Sequence, residues 1–294
     1  MRMARNAPAI FGTLWNMSSA VELVVTDLDG TLSDTGERIH PRTVRAVLAL
    51  GSAGIPVLVA TGRRPRTAAL VLEGAGLCGP AVMLDGSIGR DLRDGRAFHR
   101  AAFPPEGAAT VLDAFAAGGF QPCLHVERPG VDMVVGDRPS THPGHLARAA
   151  RWVARDDLAR AVRTDPVLSF TVVGRDPVEL GRVASEIVAG SVGSASVTPD
   201  LLYGGSTLQV RPVGVSKWSG VLAFCGDQGL DATRVLAVGD GANDVELLGS
   251  ASIACVVAGG SPAALAHADH LIDPPSIGGW ASILDLVRPG SDWC

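Results

Sequence analysis

The chain has 294 residues, of which 47% are hydrophobic and 19% are charged, so it can build a large core and is not mainly disordered. Its formal net charge of −5 indicates no nucleic-acid surface built on bulk charge. No apolar run reaches the length of a membrane span. From the charge we expect no nucleic-acid partner, and from the short apolar runs we expect no membrane partner. The five cysteines are scattered and form no C-x-x-C pair, which predicts no zinc site and no disulfide framework and favours the cytoplasm.

Residues 1–20 are expected to form a flexible N-terminal tail, because the first strand pattern begins directly after them. Four short apolar runs then predict strands that are buried on both faces, as in a parallel sheet. They cover residues 21–26, 55–60, 81–84 and 235–239, and they lead into Asp27, Thr61, Asp85 and Asp240. Residues 41–50 begin with proline and are followed by Gly51, which predicts a helix between the first two strands.

The composition changes between residues 88 and 205, which are richer in arginine, histidine and proline. Apolar runs at 131–135 and 168–173 and a helical segment at 145–162 indicate a second α+β unit, and residues 208–210 lead back to the first. We therefore predict a catalytic core of residues 21–87 and 206–294 with an inserted domain of residues 88–205. Within the insertion, three arginines at helical spacing predict one solvated helix face; these are Arg148, Arg151 and Arg155. Three histidines are expected at the surface or as hydrogen-bonded core residues; these are His125, His142 and His145.

Polar residues at the carboxyl ends of parallel strands converge on one crevice, so Asp27, Thr61 and Asp240 are expected to lie together. In the segment from Asp27 to Gly30, two carboxylates stand two residues apart on a turn. This spacing suits a pair in which Asp27 attacks phosphorus and holds a metal while Asp29 donates and accepts protons. A calcium loop is the alternative for such a turn, but its twelfth position would be Arg38 rather than glutamate.

Three further segments supply complementary groups. Thr61 and Gly62 offer a hydroxyl and a backbone N–H for phosphate oxygens, and the adjacent Arg63 is a candidate substrate-binding residue. Lys217 is the only lysine in the chain, and its compact ammonium could neutralise charge between nucleophile and phosphoryl group. Asp240 would complete a metal site, with Asn243 and Asp244 behind it as capping or supporting groups.

Together these motifs resemble the haloacid dehalogenase superfamily of phosphohydrolases, and within it the Cof-type subfamily. The matching segments occur in the family order and are Asp27-Leu28-Asp29-Gly30-Thr31-Leu32, Thr61-Gly62-Arg63, Gly214-Val215-Ser216-Lys217 and Gly239-Asp240-Gly241-Ala242-Asn243-Asp244. The resemblance implies a Rossmann-like parallel-sheet core with an inserted α+β cap domain, and Mg²⁺-dependent hydrolysis of phosphate esters through an aspartyl-phosphate. It also implies Asp27 as nucleophile, Asp29 as acid/base, Thr61 and Lys217 as phosphoryl ligands, and Asp27, the Asp29 carbonyl and Asp240 as metal ligands.

The sequence departs from the family pattern at three places that bear on the shape of the substrate pocket: Asp85-Gly86 replaces Asn-Gly, Trp218 replaces glycine, and Ala258-Gly259-Gly260 replaces Gly-Asn-Ala. The resulting prediction is a monomeric or homodimeric phosphatase acting on a small phosphorylated metabolite, with a sugar phosphate favoured. Two alternatives stay open: phosphoryl transfer between sugar hydroxyls, as in a mutase, and a non-catalytic phospho-receiver or ligand-binding module.

Overall fold

The computed structural model describes residues 21–200 and 202–287, so the predicted tail of residues 1–20 lies outside the described part of the chain. The strands, numbered in chain order, are β1 (Leu23–Thr26), β2 (Val57–Ala60), β3 (Pro80–Met83), β4 (Ile88–Asp91), β5 (Ala97–Arg100), β6 (Cys123–Arg128), β7 (Val131–Val135), β8 (Val153–Arg155), β9 (Val167–Arg175), β10 (Ser194–Pro199), β11 (Ser206–Arg211), β12 (Val235–Gly239), β13 (Ile253–Val257) and β14 (His270–Ile272). The α-helices are α1 (Pro41–Ser52), α2 (Pro65–Gly74), α3 (Pro105–Ala117), α4 (Pro143–Ala149), α5 (Leu158–Thr164), α6 (Pro177–Ala189), α7 (Lys217–Gln228), α8 (Val245–Ser250), α9 (Pro262–Leu265) and α10 (Leu284–Val287).

The first sheet has the strand order β14-β13-β12-β1-β2-β3-β4-β5 among the described strands. The strands from β14 to β3 run parallel, while β4 and β5 are added as antiparallel neighbours. The chain moves outward from β1 to β2 and β3 on one side and from β12 to β13 and β14 on the other. The strand order therefore reverses beside β1, and the carboxyl ends of β1, β2 and β12 adjoin one another there.

Burial explains why these short segments form strands. Leu23, Val24 and Val25 of β1 are fully buried and alternate between the two faces of the sheet. Helix α1 begins at its proline, as predicted, and the His40 side chain accepts a hydrogen bond from the Arg42 N–H. The helix continues through Gly51, where it was expected to end, and the first residue after it with a positive φ is Gly54.

The second sheet has the order β10-β11-β9-β6-β7-β8 and is mixed, because β8 runs parallel to β7. Helices α3, α5 and α6 cover one face through an apolar cluster that includes Phe115, Phe170 and Ile187. The opposite face carries the polar side chains of β9 and β11 and lies over the loops that follow β2 and β3. The fold class predicted from the sequence, a parallel-sheet core with an additional α+β unit, is confirmed. No helix of the described ranges is long and apolar enough to cross a membrane.

The two sheets divide the chain at different points from the predicted boundaries. Strands β4 and β5, predicted in the insertion, extend the core sheet because β4 turns back onto β3 through a tight turn at residues 84–86. Strand β11, predicted in the core, pairs with β9 and β10, and its Leu208 and Val210 enter the cluster of the second sheet. We call residues 101–211, which include that sheet, the cap, and the remainder the core.

The segment 145–162 was predicted as one helix, and this prediction is wrong. Helix α4 ends at Ala149, the chain extends as β8 beside β7, and Asp157 then caps α5 by accepting a hydrogen bond from the Ala159 N–H. Backbone pairing with an existing strand outweighs the helical spacing of this segment. Arg148, Arg151 and Arg155 therefore do not share a helix face.

Candidate active site

The loop after β1 carries the first two aspartates. The Asp27 N–H continues the parallel ladder by donating to the Val238 carbonyl, and the fully buried Leu28 anchors the loop in the core. Gly30 has a φ of +81°, and a Cβ at this position would lie 2.7 Å from Asp240 Oδ2. The turn therefore requires glycine for its conformation and for its close approach to Asp240.

Lys217 is the first residue of α7 and is 1% exposed. A capping box between Ser216 and Ser219 starts the helix and directs this residue inward. Its Nζ lies 2.5 Å from Asp27 Oδ1 and 2.7 Å from Asp244 Oδ1. Burial lowers the pKa of Lys217, but the two carboxylates more than compensate, so its net pKa is raised and it stays protonated.

Asp27 experiences the opposite balance. Burial raises its pKa well above the ordinary aspartate value, the Lys217 ammonium lowers it, and the carboxylates of Asp244 and Asp240 raise it again. One ammonium thus faces several carboxylates, and the site carries an excess of negative charge. A bound cation would relieve this excess.

Asp240 and Asp244 lie at the end of β12. Asp240 Oδ1 accepts a 2.5 Å hydrogen bond from Thr31 Oγ1, yet burial and the neighbouring Asp244 hold its pKa at about 6. Asp244 is fully buried, and its Oδ2 accepts from the N–H groups of Asp240 and Gly241. Asp27, Asp240 and Asp244 each offer an oxygen within 4.8 Å of the others, so the donor set fits a hard divalent cation.

Asp29 is held by Arg63 across the crevice. The guanidinium donates to both carboxylate oxygens, at 2.7 Å from Nε and 2.5 Å from Nη2. Its third nitrogen, Nη1, lies 2.7 Å from Glu37, which also pairs with Arg148 of cap helix α4 at 2.6 Å. A chain of alternating charges therefore joins the Asp29 carboxylate to the cap. Arg148, predicted on a solvated face, takes part in this contact.

Thr61 and Gly62 follow β2 beside the Asp27 loop. Thr61 is 1% exposed, and its Oγ1 accepts from the Arg63 N–H at 3.1 Å. The Gly62 N–H donates to no group in the described part of the chain. A Cβ at Gly62 would lie 3.2 Å from Asp85 Oδ1 and 3.4 Å from Gln209 Oε1, so glycine keeps this space between core and cap open.

Asn243 acts on the other side of the site by donating from Nδ2 to Asp85 Oδ1 at 3.1 Å. Asp85 is 3% exposed and has a φ of +48°, and a guanidinium nitrogen of cap residue Arg211 lies 3.7 Å from its Oδ2. The aspartate that departs from the family pattern thus accepts from Asn243 and attracts a cap arginine. Of the other departures, Trp218 packs on the core sheet, and Gly260 passes close to the Asp240 backbone, where a Cβ would meet its carbonyl oxygen at 2.9 Å.

The structure brings together every site residue named from the sequence, and it adds several that sequence reasoning missed. Thr31 lies within a motif already quoted, so its role could have been considered. Glu37 and Arg211 had no local signal, because their partners are distant in the chain. Asp85 was named at the end of a strand, but its contacts with Asn243 and Arg211 depend on the tertiary structure. His125 is a buried core residue hydrogen-bonded to Thr171 at 2.9 Å, and His142 caps α4, in keeping with the expectation for these histidines.

Comparison with protein families matches residues 24–146 and 184–284 to the haloacid dehalogenase-like hydrolases, which is well over half of the chain. The chain belongs to this family. A phosphoglycolate phosphatase from Methanopyrus kandleri is 27% identical over 268 residues, covering 89% of this chain and 95% of the relative. An HMP-PP phosphatase from an Enterobacter species is also 27% identical, covering 85% of this chain and 88% of the relative.

Solved structures show the same fold. A phosphatase of the haloalkanoate dehalogenase superfamily from Bacteroides thetaiotaomicron matches with a TM-score of 0.75 and 19% identity, covering 94% of this chain and 98% of that one. A sugar phosphatase of subclass IIB matches with a TM-score of 0.71 and 20% identity, covering 90% and 98%. These findings confirm the predicted family, its fold and the enzyme class, a phosphatase of the haloacid dehalogenase family.

Proposed function

We propose that this family member is a Mg²⁺-dependent phosphatase that hydrolyses a small phosphorylated metabolite through an aspartyl-phosphate on Asp27, with sugar phosphates as the first class to test. The observation that carries the proposal is the buried Asp27–Lys217 pair, which adjoins Asp29 and Thr61 at the reversal point of the core sheet. The core would perform the chemistry, and the cap, which reaches it through Arg148 and Arg211, would cover the substrate.

In this proposal Asp27 is the nucleophile. Lys217 holds Oδ1, while Oδ2 accepts no hydrogen bond from the described residues and is free to attack. Attack forms an Oδ–P bond and breaks the ester P–O bond, and the leaving alcohol takes a proton from Asp29. Water then attacks the aspartyl-phosphate, Asp29 accepts its proton, and inorganic phosphate leaves.

The phosphoryl oxygens would be bound by the Thr61 hydroxyl, the free Gly62 N–H and the Lys217 ammonium. Lys217 contacts Asp27, and Thr61 and Gly62 follow the strand next to that of Asp27, so these donors would stabilise charge with little reorganisation. Arg63 orients Asp29 through two hydrogen bonds and would assist substrate binding.

The acidic cluster fits the metal that this chemistry needs. Mg²⁺, when bound, neutralises negative charge on the phosphoryl group and on the nucleophile. Asp27, the Asp29 carbonyl and Asp240 would hold it. Asp244 would orient both Lys217 and the Asp240 backbone through its existing hydrogen bonds, and Asn243 would fix the Asp85 turn.

The test is inorganic phosphate release from sugar phosphates, nucleotides and p-nitrophenyl phosphate, with Mg²⁺ or with EDTA. We expect Asp27→Asn to lower kcat at least about 1,000-fold, because the nucleophile is lost while size and shape are kept. Asp113→Asn is the matched control, since Asp113 is exposed on cap helix α3. Phosphate release at wild-type rates from Asp27→Asn would refute the mechanism, and transfer to an added sugar without phosphate release would favour the mutase alternative.

A further inference from the structure

A second arginine, Arg64, lies beside the site, and its guanidinium has no hydrogen-bonding partner among the described residues. Arg64 directly follows Arg63 at the start of α2, and only 5% of its surface is exposed. Its guanidinium makes no hydrogen bond or ion pair within the described residues, and Nη1 is fully enclosed. The neighbouring carboxylate is that of Asp132, whose Oδ1 pairs with Arg66 at 2.8 Å and whose buried Oδ2 accepts no hydrogen bond from the described residues, Arg64 included. A buried charge without a partner is costly and is seldom kept without a function.

The groups around Arg64 belong to the polar face of the cap sheet. Burial lowers the pKa of the cap residues His125 and His145, and the Arg64 charge lowers both pKa values further. Together these effects bring the pKa of His145 to about 4. Both imidazoles are therefore neutral near pH 7, and they do not compete with Arg64 for an anion as positive charges would. Burial likewise lowers the pKa of Arg64, and Asp132 only partly opposes this.

This face is continuous with the phosphoryl site. His125 is bonded to Thr171, and Thr171 of β9 is paired with Gln209 of β11. Gln209 is 7% exposed and approaches Gly62 through its Oε1, while its Nε2 donor has no partner within the described residues. Two buried donors, Arg64 Nη1 and Gln209 Nε2, thus lack acceptors where the core loop meets the cap.

We propose that Arg64 and Gln209 form an anion subsite for the leaving group, so that the physiological substrate is a phosphate monoester carrying a second anionic group. The inference rests on the proposed function, because it assigns the alcohol part of the ester to the cap side of the site. A carboxylate and a second phosphate both supply the oxygen acceptors that the two donors need. A neutral sugar phosphate would leave the Arg64 charge unpaired when the cap is closed.

Binding tests the subsite without requiring turnover. Calorimetry on Asp27→Asn would compare 2-phosphoglycolate with 2-hydroxyethyl phosphate for the carboxylate, and glucose 1,6-bisphosphate with glucose 6-phosphate for the second phosphate. We expect the acidic member of one pair to bind about 30-fold more tightly, and we expect that preference to disappear in Asp27→Asn/Arg64→Met. Equal binding within both pairs, or a preference that survives the second substitution, would overturn the proposal.

Kinetics on the wild-type background separate the subsite from the chemistry. Arg64→Met should lower kcat/KM for the preferred acidic ester about 30-fold more than it lowers kcat/KM for p-nitrophenyl phosphate, which has no second anionic group. Arg45→Met is the control, because it removes an exposed charge on α1, and it should change kcat/KM for neither substrate. An equal loss on both substrates together with a lower melting temperature would assign Arg64 a structural role and overturn the subsite. Absence of phosphate release from every ester would instead refute the proposed function, and the binding preference would still decide the subsite.

Discussion

Replacing Lys217 with methionine tests the electrostatic organisation of the site most directly. The substitution approximately keeps the length and apolar stem of the side chain but removes the ammonium that contacts both Asp27 and Asp244. Both carboxylates are buried, so they cannot recover their lost partner from solvent. We therefore expect a loss of stability together with a loss of catalysis.

The magnitude follows from the fate of the two carboxylates. Removing one partner of a buried ion pair typically costs about 3–5 kcal/mol. Asp27 can limit this cost by taking up a proton, which for a carboxyl of ordinary pKa costs about 4 kcal/mol at pH 7 and less here, because burial already raises its pKa. Asp244 keeps its two backbone donors and needs less compensation. We expect destabilisation of about 3–5 kcal/mol, or roughly 6–20 °C in melting temperature.

The dependence on pH separates this explanation from a packing defect. In Lys217→Met the folded-state pKa of Asp27 rises further above its unfolded value, so the folded state binds the proton more tightly. The deficit relative to wild type should therefore be small near pH 5 and should grow as the pH rises toward 7.5. Phosphatase activity should fall at least about 1,000-fold, since a protonated Asp27 is not a nucleophile.

Thermal unfolding in EDTA over this pH range is the assay. Lys217→Met/Asp244→Asn is the matched control, because it removes one charge of each sign and should recover much of the stability without recovering activity. A deficit that is the same at every pH would refute the electrostatic reasoning and would indicate lost packing around α7.

Three further predictions concern the metal, the cap contact and the turn below Lys217. Burial raises the pKa of Asp27 and holds that of Asp240 at about 6, so the metal-free protein loses stability as the pH rises through this range. Mg²⁺ should therefore raise the melting temperature more near pH 7.5 than near pH 5. An equal increase at both pH values would contradict this prediction. Glu37→Gln and Arg148→Gln should each destabilise the protein slightly, and a double-mutant cycle should give a coupling free energy of about 0.5–1 kcal/mol between them. Additive effects would show that this ion pair between core and cap is not formed in solution. Gly86→Ala should lower the free energy of unfolding in urea by more than about 2 kcal/mol, because the φ of Gly86 is +111° and a Cβ would lie 2.0 Å from the Ser216 carbonyl oxygen. Gly181→Ala is the control and should be neutral or stabilising, because a Cβ at this position on α6 meets open space. Similar changes in the two variants would count against the clash.

Much of the core and its chemistry could be predicted from local patterns. The buried runs at β1, β2, β3 and β12 were located within two residues of their observed bounds, because continuous apolar segments ending in turns are typical of parallel strands. The same patterns put Asp27, Thr61 and Asp240 at strand ends, where parallel pairing brings them together. The single lysine indicated a position that arginine cannot occupy, and Lys217 lies fully buried between two carboxylates.

What only the tertiary structure decided depends on contacts between segments far apart in the chain. Two differences from the sequence prediction depend on which sheet edge a segment pairs with: β4 and β5 join the core sheet and β11 joins the cap sheet. The same holds for β8, the strand within the predicted helix 145–162. The local sequence of a short segment does not identify the strand with which it pairs. The bridge from Asp29 through Arg63 and Glu37 to Arg148 joins residues separated by more than 100 positions. That the Arg64 guanidinium has no partner within residues 21–200 and 202–287 likewise follows only from the tertiary structure. Local sequence patterns predicted the residues that we propose for catalysis, whereas the residues that we propose for substrate selection are brought together only by the packing of the cap on the core.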